Sequence, residues 1–134
     1  AVEARADRGG LSPESAAKAR MIAPKMRASF KLAYDGGVKI ALGSDAGVFE
    51  HGENGKELST MVSLGMKEMD AIVAATSAAA ELLGVDNVGR VEVGMLGDLV
   101  VADGDPLEDI TLLESPALVV KGGVVHVAPT WGVQ

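Results

Sequence analysis

Between residues 44 and 57 the chain carries Ser44, Asp45, His51, Glu53, Asn54 and Glu57. A carboxylate such as Asp45 can hold a hard or borderline divalent cation, or take a proton from metal-bound water. His51 can add a ligand nitrogen, and Asn54 can offer a neutral amide to a substrate. Plainer roles compete. An Asp after a strand commonly accepts backbone N–H bonds as a turn or cap residue. A loop histidine is more often exposed than ligating, and Asn54 and Glu57 are placed to cap the next helix. His126 has no acidic or histidine neighbour in sequence and reads as structural. Ser44 lies one position too early for a G-x-S-x-G elbow. A Ser44–Asp45–His51 triad rests on proximity in sequence alone. No P-loop and no G-x-G-x-x-G fingerprint occurs.

The elements around this cluster follow from patterning. Ser12-Pro13-Glu14 is a helix start, with a Ser cap and Pro at the first helical position. Met21, Ile22, Met26, Phe30 and Ala33 continue at helical spacing to Gly36-Gly37, with Pro24 expected to kink or divide the helix. Val38 to Gly43 reads as a short buried strand of parallel type, with Asp45 at its C-terminal end. A helix before and a helix after such a strand is the grammar of a parallel α/β sheet, whose catalytic groups gather at that end. Leu58, Met61, Val62 and Leu64 predict a short helix ending at Gly65. Met69 to Leu83 predicts a longer, alanine-rich one ending at Gly84. The methionines fall on apolar helix faces and read as core.

From Val88 the pattern changes to short β runs: Val91 and Val93, Leu99-Val100-Val101, Val119-Val120 and Val124-Val125. Lys121-Gly122-Gly123-Val124 is a hairpin signal, and 109–113 fits one helical turn. The expected organisation is therefore an α/β segment over 1–87 and a small antiparallel β segment over 88–134.

Composition narrows the function classes. The chain has 134 residues, 48% of them apolar, which is enough for a core and excludes intrinsic disorder. A net charge of −7, with one Trp, one Tyr and two Phe, argues against nucleic-acid binding by charge or by stacking. No apolar run approaches the roughly 18 residues of a membrane span. Cysteine is absent, which excludes disulfides and thiolate chemistry. With no secretory leader visible, the cytoplasm is the expected compartment. The start at Ala1 is expected for a processed, truncated or partial chain.

Several of these residues fall into an ordered series. Ile40-Ala41-Leu42-Gly43-Ser44-Asp45-Ala46-Gly47, then His51-Gly52, Asn54 and Glu57-Leu58, resemble the last barrel strand and following loop of the amidohydrolase superfamily, in its imidazolonepropionase-like and Xaa-Pro dipeptidase-like branch. Ala71 to Thr76, Ala79 and Leu82-Leu83-Gly84 resemble that family's last barrel helix. Gly89-Arg90-Val91, Gly97-Asp98-Leu99-Val100-Val101, Gly104-Asp105-Pro106-Leu107 and Val120-Lys121-Gly122-Gly123 resemble its return into a small β domain. The implied fold is the C-terminal part of a TIM-barrel-type metal-dependent hydrolase, its last strand and helices, followed by a small antiparallel β segment.

The resemblance implies that Asp45 is catalytic, helping to hold a divalent metal (zinc in a complete member) and shuttling protons. It implies that His51 and Asn54 contact a small-molecule or dipeptide-like substrate. The reaction implied is metal-assisted hydrolysis of amide, peptide, cyclic amide or ester bonds. The family's H-x-H pair, bridging modified lysine and two further histidines have no counterpart here. One Asp and one His supply two donors where a stable zinc site wants three or four, so this chain alone is expected to bind metal weakly or not at all.

A fragment, one chain of a split enzyme and a repurposed small protein all fit this pattern. A barrel closes only with all its strands. Val38, Ile40 and Leu42 are therefore expected to need a cover, from a missing N-terminal portion or from a homo-oligomer formed through 38–43 or the 69–83 helix. The alternative function is a non-catalytic, self-associating or partner-binding remnant of an amidohydrolase.

Overall fold

The computed structural model describes residues 11–45 and 51–127. Helix α1 runs Pro13–Asp35. The Ser12 side chain accepts from the Ser15 N–H at 3.2 Å, and Pro13 occupies the first helical turn, where a missing N–H costs nothing. Pro24 does not divide the helix: it lies inside an unbroken α1. The expected division is thus corrected, since Pro24 removes one ladder donor while the turns on either side persist. Beyond α1, the Gly37 N–H bonds the Tyr34 carbonyl and the Val38 N–H the Ala33 carbonyl, both at 3.0 Å. These two bonds, with Gly37 in the left-handed region, make a Schellman stop.

The strand expected over 38–43 does not form. Among the described residues, 38–45 joins no sheet, and the Leu42 N–H instead bonds the Ala74 carbonyl at 2.8 Å. A parallel strand is held by ladders to neighbouring strands. No second parallel strand exists among the described residues to supply them.

After a 3-10 turn at Glu53–Gly55 come α2 (Lys56–Ser63), α3 (Glu68–Ala75) and α4 (Ser77–Leu83). Helix α2 ends at Gly65, as expected, by the same bond pattern: Gly65 N–H to Val62 at 2.9 Å and Met66 N–H to Met61 at 3.2 Å. The single helix expected over 69–83 is two. Thr76 breaks it at φ −124°, ψ −94°, and its hydroxyl donates back to the Ile72 carbonyl at 2.7 Å. Backbone at Gly89 crosses this break. A Cβ there would lie 2.9 Å from the Thr76 carbonyl oxygen and 3.0 Å from the Ser77 Cα. The break thus coincides with a close chain crossing that glycine alone allows.

Strands β1 (Leu99–Val101), β2 (Leu118–Lys121) and β3 (Val124–Val127) form an antiparallel sheet in the order β1-β2-β3. The β2–β3 turn is Gly122-Gly123, both at positive φ (56° and 78°), as the hairpin signal requires. A 3-10 turn at Ile110–Glu114 precedes β2, capped by Asp109, whose carboxylate accepts from the Thr111 N–H at 2.9 Å. Val91 and Val93, expected as a β run, lie outside the sheet and are exposed. With no strand beside them among the described residues, their alternation has nothing to pair with.

Contacts divide the described residues into two compact units, one within Ala1–Lys39 and Ser44–Asn54, the other within Ile40–Gly43 and Gly55–Gln134. The core of the second consists mainly of Leu58, Met61, Met66, Ala71, Ala74, Ala78, Ala80 and Ile110. Met21, Met26 and Met69 are exposed, which corrects their assignment to the core. Their helix faces find no cover within the chain.

Candidate functional site

Asp45 and Ser44 are exposed at the end of the 38–45 segment. Residues 46–50 lie outside the described part. His51 is exposed in a turn, and Asn54 is exposed in the Glu53–Gly55 turn. Asp45, His51 and Asn54 fall in the same compact unit. Asn54 does not cap α2. The cap position is Gly55, with no side-chain hydrogen bond. Glu57 occupies the first turn of α2, where a carboxylate complements the positive end of the helix. His126 is exposed on β3.

The donor set does not fit a metal ion unaided. Among the described residues no three His, Cys, Asp or Glu side chains are grouped closely enough to hold one. A stable zinc centre needs three or four ligands. Asp45 offers one carboxylate to such a centre, and that single donor leaves the ligand count short.

Two polar nodes escape a reading of the sequence. Asp98, just before β1, accepts from the Gly122 N–H at 2.6 Å and from the Lys121 ammonium, and so ties the β2–β3 turn to the start of β1. The Gly123 N–H bonds the Gly97 carbonyl at 3.1 Å in the same knot. The Gly122 N–H bond first, then the Lys121 contact, hold the Asp98 carboxyl below its ordinary value. Asp109 is held low in the same way by the Thr111 hydroxyl and N–H. The second node joins α2 to the Ile110–Glu114 turn: the Ser59 hydroxyl donates to Glu114 Oε1 at 2.5 Å. A Cβ on Gly55 would meet the Leu113 carbonyl oxygen at 2.8 Å and the Glu114 Cα at 3.0 Å. The partners in these nodes stand 23 to 58 positions apart, so no local spacing reveals them.

Helices that lead into a three-stranded antiparallel sheet, with an exposed aspartate on the segment after the first helix, match the closing portion of a barrel hydrolase. The profile of the Amidohydrolase family matches residues 1–125. The chain belongs to the amidohydrolase family. It is 33% identical over 132 residues to the ochratoxinase of Aspergillus niger, covering 92% of this chain and 27% of the relative. A crystal structure of that ochratoxinase superposes with TM-score 0.72 at 30% identity, over 93% of this chain and 30% of the other. The crystal structure of a Xaa-Pro dipeptidase with bound methionine in the active site superposes with TM-score 0.85 at 41% identity, over 95% of this chain and 32% of the other.

The chain therefore spans about a quarter to a third of the length of the relatives it matches. The fold is the C-terminal part of the family's TIM-barrel hydrolases: the last helices and the small antiparallel sheet. Members of this family are generally metal-dependent. No helix among the described residues is long and apolar enough to cross a membrane.

Proposed function

We propose that this chain is the C-terminal part of a hydrolase that cleaves C–N bonds (amide, peptide or cyclic amide) or esters. The substrate class is small and dipeptide-like. The observation that carries this reading is the place of Asp45, exposed at the end of 38–45 in a chain matched to the amidohydrolase profile over 1–125. In this reading residues 1–87 belong to the barrel and 88–134 to the small β segment.

Asp45 contributes one ligand to a metal centre completed by residues outside this chain, and accepts and returns the proton of the attacking water. His51 and Asn54 contact the substrate. A metal in the completed centre would activate that water and polarise the scissile carbonyl. The test is hydrolysis of Xaa-Pro dipeptides and N-acyl amino acids by the protein that contains this chain, before and after chelation. Turnover that chelation abolishes and divalent metal restores supports the reading. Turnover that is metal-independent, or unchanged in Asp45→Asn, overturns it.

A second reading has its own support. Leu82 and Leu83 are exposed at the end of α4, as are Val91 and Val93. A self-associating remnant without metal chemistry would cover these side chains with a second copy. Light scattering at low micromolar concentration separates the two. A dimer of the isolated chain that is broken by Ile40→Lys or Leu83→Lys favours the remnant.

A further inference from the structure

We infer that Glu114 is a positioning residue for the loop that carries His51 and Asn54, acting through Ser59 and Gly55. The inference rests on the substrate-contact role proposed for those two residues.

The chain passes from Asn54 directly into Gly55, and Gly55 is pressed against the backbone of the Ile110–Glu114 turn. The Leu113 carbonyl oxygen and Glu114 Cα leave no room for a Cβ there. One turn further along α2, Ser59 donates to Glu114 Oε1 at 2.5 Å. The same hydroxyl lies 3.1 Å from the Lys56 carbonyl. Its single proton serves the nearer, charged acceptor. Ser59 and Glu114 are both half-buried, so water competes poorly for this bond.

Backbone contact at Gly55 and a charge-assisted bond at Ser59 thus grip both sides of the first turn of α2. That turn is the anchor from which the His51–Asn54 loop departs. The grip comes from residue 114, in the stretch leading to the small sheet and far from Asp45 in sequence. Catalytic loops are placed by rigid supports of this kind, and a displacement of about 1 Å at a reacting group can cost about a hundredfold in rate.

The test uses the whole protein that contains this chain and the variants Ser59→Ala, Glu114→Ala and Glu114→Gln. Hydrogen exchange of amides 51–58 is the first readout and needs no substrate. Ser59→Ala and Glu114→Ala should each raise exchange there about tenfold. Glu114→Gln keeps a carbonyl acceptor for the Ser59 hydroxyl and should stay within about twofold of the parent. Circular dichroism verifies that each variant is folded. Unchanged exchange in folded Ser59→Ala and Glu114→Ala overturns the inference. So does a rise in Glu114→Gln as large as in Glu114→Ala.

Hydrolysis of Met-Pro is the second readout. A KM raised about fivefold in Glu114→Ala, with kcat within about twofold and rescue by Glu114→Gln, supports positioning of a substrate loop. Raised exchange with an unchanged KM would leave the grip intact as structure, but would overturn the positioning role and the substrate role of His51 and Asn54.

Discussion

Two parts of the second compact unit are built on opposite terms. Around α2, α3 and the Ile110–Glu114 turn the chain closes on itself, with Ala71 fully buried and Ala74 2% exposed. In the three-stranded sheet every residue of β1 and β3 is exposed. The register places Leu99, Val101, Leu118, Val120 and Val125 on one face, and Val100, Val119, Val124 and Val127 on the other. An antiparallel sheet with one solvated face normally alternates apolar and polar residues. This sheet is apolar on both faces. The helical part is finished within the chain, whereas the sheet has the composition of a structure covered on both sides. Asp45 belongs with the unfinished parts: it carries a functional group type but lacks the partners that a metal centre needs.

The largest expected effect tests the unfinished part directly. In the protein containing this chain, Asp45→Asn should lower kcat by about 10²–10⁴-fold, the usual worth of a positioned acid–base group. The melting temperature should hardly move, because an exposed side chain contributes little to packing. Steady-state kinetics beside a thermal melt check both halves. A large loss of stability with intact kcat would return Asp45 to the turn or cap role.

The next effect tests the finished part. Ala71 is completely buried, so Ala71→Leu must displace its neighbours and should cost about 1–3 kcal/mol by overpacking. The matching change in the sheet, Val125→Lys, introduces a charge at a position 55% exposed. In the isolated chain it should stay within about 0.5 kcal/mol. Urea denaturation of both variants gives the comparison. If Val125→Lys destabilises the isolated chain as much as Ala71→Leu, the sheet is already covered and the contrast fails.

How far the sequence could be read follows the same division. The start of α1 at Ser12-Pro13, the stops at Gly37, Gly65 and Gly84, and the Gly122-Gly123 turn are all local: cap chemistry and positive φ act within a few residues. The features that misled are those whose partners are distant. Val38 to Gly43 has the composition of a strand, yet a strand exists only with a neighbour. The alanine-rich run looks continuous, and it breaks at Thr76 where Gly89 crosses. The Ser59–Glu114 and Asp98–Lys121 pairs carry no periodic signal at all. At the candidate site, residue types and order were legible. The geometry of a metal centre was not, because two donors from one loop cannot define it and the other ligands stand elsewhere.

The smallest expected effect concerns the knot that lets the open sheet persist without cover. Asp98 joins β1 to the β2–β3 turn through the Gly122 N–H and Lys121. These contacts favour the charged carboxylate, so its pKa in the folded state lies below the unfolded value. A depressed carboxylate contributes stability that is fully present above the unfolded pKa and is lost as pH falls through the folded one. Asp109, held low by Thr111, adds in the same direction. The chain should therefore lose stability below the ordinary carboxylate range, on top of any general acid effect. Asp98→Asn keeps an acceptor for the Gly122 N–H but removes the charge. Its stability should already be lower at neutral pH, and should fall less than the parent's between about pH 5 and pH 2. Thermal melts of parent and variant across that window decide it. Parallel pH profiles would show that Asp98 holds the hairpin by shape alone, and that the sheet's persistence owes nothing to this charge.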